Sequence, residues 1–120
     1  MAYTRECVAA GGVVILRAIF LDGCGEPMVL DEVEVTVEDS EGNPAGSFTL
    51  SAGTISLVSP GMYEIEYTVP YNPASLITDG SWTDSWIGSI NAVPVVTQQF
   101  QFRVMSQGTA VQQIIHNNTL

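Results

Sequence analysis

A strict alternation of apolar and polar residues, with a period of two, constrains this chain most. Val33, Val35 and Val37 alternate with glutamates and a threonine, and Tyr63 and Ile65 begin a second run of the same kind. Successive side chains of a β-strand point to opposite faces, so each run predicts a strand with one buried and one solvated face. No comparable window has the 3.6-residue period of a long helix, so the chain is predicted to be all-β.

The alternation also predicts the core. Residues 100–104 repeat the pattern, with glutamines and an arginine between the apolar positions. Residues 13–21 are apolar on both faces, and one of these faces is assigned to the interior. The predicted core takes one face from each strand: Val14, Leu16, Phe20, Val33, Val35, Val37, Tyr63, Ile65, Tyr67, Phe100, Phe102 and Val104.

The second apolar face of the first strand is the first candidate for a contact surface. It carries Val13, Ile15, Ile19 and Leu21. Contiguous apolar surface of this kind is unfavourable in water, and on protein surfaces it marks interaction sites. We therefore expect these residues to be covered by the chain's own terminus or by another subunit.

Glycine and proline separate the strand-like runs at residues 22–27, 39–44 and 59–61. Glycine tolerates a positive φ and proline fixes φ, so such clusters predict turns. About seven short strands punctuated in this way are typical of an antiparallel β-sandwich. A single sandwich is predicted over residues 12–105, with an N-terminal arm at 1–11 and a C-terminal arm at 106–120.

The C-terminal arm supplies the second group of candidate contact residues. Beyond residue 108 the chain has no aromatic residue, glycine or proline, and Val111, Ile114 and Ile115 have the spacing of one helical face. A helix of about 12 residues is marginal by itself in water, so both arms are expected to become ordered against a partner. Leu120 completes this group of candidate interaction residues.

The charge balance excludes several classes of partner. The chain has 13 acidic residues against 3 basic ones, none of them lysine, and a net charge of −10 at pH 7. Binding to phosphate backbones needs clustered basic residues, so no direct binding to nucleic acid is expected. Anionic membranes would repel such a surface, and no membrane partner is expected.

Residues with catalytic chemistry are sparse. The one histidine, His116, lies in the C-terminal arm, away from any evident nucleophile. Glu64 and Glu66 share a strand face that the alternation assigns to solvent, so they are not predicted to form an acid–base pair. We predict that the protein is not an enzyme, with no catalytic residues and no cofactor.

The acidic turns and the cysteines leave two alternatives open. The turns at 22–26 and 39–43 each offer two carboxylates, and a Ca²⁺ ion could be shared if both lay at one end of the sandwich. Ordinary turn chemistry is the favoured interpretation, and no metal site is predicted. Cys7 and Cys24 are expected to be reduced thiols, as in a cytoplasm, with a disulfide between them as the alternative.

The segment around Trp82, Asp84 and Trp86 has two interpretations. On a strand the three side chains share one face. The favoured interpretation places at least one indole in the core, with Asp84 capping backbone N–H groups at a turn or bulge. The alternative makes the two indoles, with Tyr71, a stacking platform for sugar rings, so both tryptophans are also candidate interaction residues.

The order of these motifs resembles small immunoglobulin-like, or macroglobulin-like, virion proteins of tailed bacteriophages over about residues 12–105. The resemblance implies an immunoglobulin-like sandwich that decorates a capsid or helps to build the neck at the head–tail junction. It brings no catalytic residues. The motifs that carry it are the turn at 21–27, the strand and Asp-x-x-Gly turn at 35–42, the Gly-x-Tyr-x-x-x-Tyr-x-Val-Pro strand at 61–70, and residues 80–86 and 100–104.

Together these points predict a non-enzymatic virion structural protein, preferably in the neck. The alternatives are a capsid decoration protein and a carbohydrate-binding or adhesive module on a fibre. The expected partners are copies of the chain itself and neck, portal-proximal or capsid proteins. Residues 1–12 do not have the basic and apolar regions of a signal peptide, so synthesis in the host cytoplasm and a location in the virion are expected.

Overall fold

The computed structural model describes residues 4–70 and 80–105. Its strands are β1 (Thr4–Ala9), β2 (Val13–Ile19), β3 (Glu32–Glu38), β4 (Pro44–Thr49), β5 (Ser56–Ser59), β6 (Met62–Thr68), β7 (Gly80–Ile90) and β8 (Val93–Met105). They form a five-stranded sheet in the order β1-β8-β7-β3-β4 and a three-stranded sheet in the order β2-β6-β5. The described residues contain no helix, which confirms the all-β prediction.

The two sheets form a sandwich around one core. All of the predicted core residues are buried except Phe100, which is half-buried and packs against the core from β8. Strands β2, β3 and β6 show the alternation of buried and more exposed residues that the sequence predicted. The core also includes residues that the prediction left out, among them Leu30, Ile55 and Val69.

Tyr67 links the two sheets. It lies on β6 of the three-stranded sheet, and its hydroxyl donates a hydrogen bond to the carbonyl oxygen of Ala45 on β4, 2.7 Å away. Its ring makes edge-on contacts with Phe48 and Phe102 of the five-stranded sheet. Because edge-on aromatic pairs favour one relative orientation, these contacts help to fix how the sheets are stacked.

The predicted N-terminal arm is partly a strand. Residues 4–9 form β1, which pairs in parallel with β8, with Val8 beside Val104 and Ala9 beside Met105. The side chains of Val8 and Ala10 are buried in the core. These short apolar residues supply the inward face of an edge strand, so the arm assignment for residues 1–11 is corrected for this part.

A tight hairpin joins the two longest strands. Ile90 pairs with Val93, so Asn91 and Ala92 form a two-residue turn, with positive φ values of 52° and 64°. Turns with two positive φ values match the right-handed twist of the strands. The Asp31 carboxylate accepts the Asn91 N–H at 2.7 Å, which ties the start of β3 to this turn.

Candidate interaction surface

The outer face of β2 is an exposed apolar surface. Even-numbered residues of β2 are buried, and the odd-numbered apolar ones point outward. We call Val13, Ile15, Ile19 and Leu21 the β2 stripe; their exposed fractions are 53%, 38%, 43% and 50%. The structure therefore brings this group of predicted interaction residues together on one accessible face of the three-stranded sheet, where β6 is the neighbouring strand.

An ion pair interrupts the β2 stripe. Arg17 projects between Ile15 and Ile19, and its guanidinium contacts the carboxylate of Glu64, the residue opposite it on β6. Exposed pairs of this kind stabilise a fold by about 0–1 kcal/mol. The pair occupies the centre of the face and leaves an apolar patch on each side.

The β2 stripe lies along a sheet edge. In the described part of the chain β2 pairs with β6 alone. Near the Leu21 end, the Gln98 side chain of β8 donates a hydrogen bond to the carbonyl oxygen of Ile19 at 2.7 Å. β2 is therefore an edge strand of its sheet in the described fold, and edge strands that carry apolar side chains are sites of protein–protein contact.

Two grooves lie near the three-stranded sheet, and the second of them borders the β2 stripe. One, of about 400 Å³, lies between the loop that follows Leu21 and the β5–β6 turn, and Val29, Leu57 and Val58 project around it. The other, of about 480 Å³, lies beside Ile15 and is bordered by the carboxylates of Glu64 and Glu66. The sequence analysis missed the first groove, although adjacent apolar residues in a loop and in a short strand were the available signal.

Trp82 and Trp86 are core residues. Both are buried, Trp82 packs against the ring of Phe102, and the Trp86 indole N–H donates a hydrogen bond to the Asp84 carboxylate at 2.8 Å. The core interpretation is therefore confirmed, and the stacking platform is wrong for both indoles. Asp84 is fully buried within the regular pairing of β7, not at a turn or bulge as predicted.

The other predicted interaction residues lie outside the described residues. These are Val111, Ile114, Ile115 and Leu120, together with Tyr71 of the proposed platform and His116. Their predicted roles stay predictions.

The two acidic turns lie at opposite ends of the sandwich. The first precedes β3 and the second follows it, so they are separated by the length of that strand, about 20 Å. One Asp22 oxygen accepts the N–H groups of Cys24 and Glu26, and one Asp39 oxygen accepts those of Glu41 and Asn43. The two turns cannot share one ion, and each aspartate stabilises its own turn.

The cysteines are also far apart in the fold. Cys7 lies on β1 beside Arg103, near the end of β8, and Cys24 lies in the first acidic turn, at the other end of the sandwich. Both thiols are exposed and free. A disulfide between them would need a large displacement of the strand or of the turn.

Three ionisable groups among the described residues have shifted pKa values. Burial raises the pKa of Tyr67 to about 12 and also raises the pKa of Tyr63. Hydrogen bonds, first from the Ser51 side chain and then from nearby backbone N–H groups, lower the pKa of Glu32 below its usual value. The three shifts arise from burial and from structural hydrogen bonds, so they indicate sites of stability and not of chemistry.

Comparison with known proteins extends only to the fold. No protein-family model and no curated protein matches the chain. Among solved structures, the Lin-41 filamin domain aligns with a TM-score of 0.51 and 12% identity over 82% of each chain. A protein from Bacteroides vulgatus assigned to the glycoside hydrolases aligns with a TM-score of 0.51 and 15% identity, over 87% of this chain and 17% of that one.

The second match involves a much longer protein, of which this chain spans less than a fifth of the length. At these identities the likeness shows the fold alone, and the fold carries many unrelated functions. The chain is an immunoglobulin-like β-sandwich, as the sequence predicted. Among the described residues, no helix has the length and apolar content needed to cross a bilayer.

Proposed function

We propose that the protein is a non-enzymatic structural component of a tailed-bacteriophage virion, located in the neck at the head–tail junction. It assembles with copies of itself and with neck, portal-proximal or capsid proteins through the β2 stripe and its terminal segments. The observation that carries the proposal is the exposed β2 stripe, four aligned apolar side chains with exposed fractions of 38–53%. The resemblance of the strand and turn motifs to phage virion proteins supports a place in the virion.

Physical arguments support an assembly role for the β2 stripe. Burying the four partly exposed aliphatic side chains of the β2 stripe lowers the free energy by about 25 cal/mol for each Å² of apolar surface removed from water. The net charge of −10 keeps the bodies of separate copies apart, so contacts are expected at apolar surface and not at random. Self-association through a defined surface generates the symmetric assemblies found in virions.

The location is tested by labelling particles made from the genome that encodes this chain. Gold-labelled antibodies against the protein are imaged on purified particles by electron microscopy, and we expect label at the neck. Label spread over the capsid shell would replace the neck by a decoration role. Particles that lack the protein altogether would overturn the proposal.

The role of the surface is tested by charge substitution. Ile15→Asp should reduce incorporation of the protein into particles at least tenfold, because burying an unpaired carboxylate at a contact is costly. Ser47→Asp adds the same charge to an exposed position of β4 on the other sheet and is the matched control. Equal incorporation of the two variants would show that the β2 stripe is not the assembly surface.

A further inference from the structure

The chain leaves the described fold beside one end of the β2 stripe. β8 ends at Met105, whose carbonyl oxygen accepts the N–H of Ala10 at 2.8 Å. Gly12, which directly precedes β2, accepts the N–H of Val69 at 2.9 Å. The last described residue of β8 and the start of β2 therefore lie at the same end of the sandwich.

At its C-terminal end, β8 runs away from the β2 stripe of the same copy. β8 runs parallel to β1, and the turn at residues 10–12 reverses the chain between β1 and β2. The stripe thus extends from Val13 back toward the opposite end of the sandwich. β8 therefore points out of the sandwich at the end where the β2 stripe begins.

The composition of residues 106–120 differs from that of the body. All of the Asp and Glu residues lie at or before Asp84, so the segment is free of acidic side chains. An extended chain would point Ile114 and Ile115 in opposite directions, whereas a helix places both, with Val111, on one face. A helix over residues 109–120 is about 18 Å long, close to the length of about 20 Å from Val13 to Ile19 on β2.

We propose that residues 106–120 of a second copy bind the β2 stripe as a short amphipathic helix, with Val111, Ile114 and Ile115 against Val13 and Ile15. This proposal deepens the proposed function and rests on it in naming a copy of the chain as partner. Two bodies with a charge of −10 repel each other, and a segment without acidic residues docks without that repulsion.

The contact is head-to-tail, because the segment and the β2 stripe are different surfaces. Each copy donates one segment and receives one, so repetition produces a closed ring when the rotation between copies closes, and a filament when it does not. A ring is the geometry that a neck requires. The helix forms as it docks, since a helix of about 12 residues is marginal in water.

Disulfide trapping between two variants tests the contact. Cys7 and Cys24 are exposed and are first replaced by serine. A protein carrying Ile15→Cys is then mixed with one carrying Ile114→Cys under mild oxidation, and we expect a disulfide-linked heterodimer. Ser47→Cys, exposed on the other sheet, replaces Ile15→Cys in the matched control and should yield at least tenfold less heterodimer.

Two outcomes would overturn the proposal. If Ser47→Cys formed as much heterodimer with Ile114→Cys as Ile15→Cys does, the disulfides would arise from random collisions and not from docking. A single chain carrying both Ile15→Cys and Ile114→Cys that closes within itself, while the mixture yields no heterodimer, would place the segment on its own stripe. Unchanged melting temperatures of all variants would show that folding is intact in each case.

The trapping experiment uses the isolated protein, so its result is independent of the location in a particle. Heterodimer formation together with an absence of label at the neck would overturn the proposed function and leave the contact standing. Label at the neck without heterodimer would overturn the contact alone.

Discussion

At the scale of single residues, the molecule depends on a few side chains that touch both sheets. Phe102 is fully buried and contacts the rings of Tyr67 and Trp82. Tyr67 adds a hydrogen bond from one sheet to the other. These side chains are sensitive points, because closely packed interiors respond to the loss of even small groups.

Phe102→Ala should lower the free energy of unfolding by about 3–5 kcal/mol, through lost burial and the cavity that remains. Phe100 has the same chemistry but is half-buried, so Phe100→Ala is the matched control and should cost clearly less. Urea unfolding followed by tryptophan fluorescence measures both. A loss below about 1 kcal/mol for Phe102→Ala would contradict the packing described above.

Tyr67 should make stability depend on alkaline pH. Its pKa is about 12 in the folded protein, against a usual value of 10.0. Between these values the unfolded chain loses the phenolic proton first, so the free energy of unfolding should fall as pH rises from about 10 to about 12. Tyr63, whose pKa burial also raises, adds to the same trend.

The measurement is urea unfolding at a series of pH values up to about 12. Tyr67→Phe cannot ionise at this position and should show a flatter dependence, with a lower starting stability because the Ala45 carbonyl loses its donor. Identical pH profiles for the two proteins would contradict the assignment.

At the scale of elements, the alternation predicted the strands well where one face is buried and the other solvated. It did not identify β1, because Val8 and Ala10 are too short a run to stand out and become buried only through pairing with β8. It favoured the core for Trp82 and Trp86 but could not decide the question, because the residues between them are polar on either interpretation. The distinction needed the tertiary contact with Phe102.

The candidate surface was partly predictable for the same reason. A strand that is apolar on both faces must leave one of them uncovered or find a partner, so the β2 stripe followed from the sequence. The groove around Leu57 and Val58 did not, since it depends on how the loop after Leu21 folds over the β5–β6 turn.

The β7–β8 hairpin offers a test at this scale. Ala92 has a φ of 64°, a conformation that costs an L-residue roughly 1–2 kcal/mol. Glycine adopts it freely but loses about 0.5–1 kcal/mol in entropy, so Ala92→Gly should raise the free energy of unfolding by about 0.5–1 kcal/mol.

Thermal unfolding with Ala92→Val as the control measures this effect. Valine is branched at Cβ and should destabilise the turn more strongly than alanine does. If Ala92→Gly is no more stable than the original protein, the strain at Ala92 is relieved by other parts of the hairpin.

At the scale of the whole molecule, the described core is formed by side chains from strands β1–β8 and the loops between them. Ending the chain after Gly108 should therefore shift the melting temperature of the dilute protein by less than about 4 °C, equivalent to less than about 1 kcal/mol. Differential scanning calorimetry measures it. A large cooperative loss would show that residues 109–120 belong to the core of the same copy.

The parallel pairing of β1 and β8 has a mechanical consequence. Thr4 and Met105 lie at opposite ends of one ladder of hydrogen bonds. Tension applied through these two residues pulls the neighbouring strands past each other, so the bonds of the ladder resist together and do not break one at a time. Optical tweezers should find a higher rupture force for pulling at Thr4 and Met105 than at Val13 and Met105, which share one end. A sandwich linked in this way can carry a load between these two residues without opening.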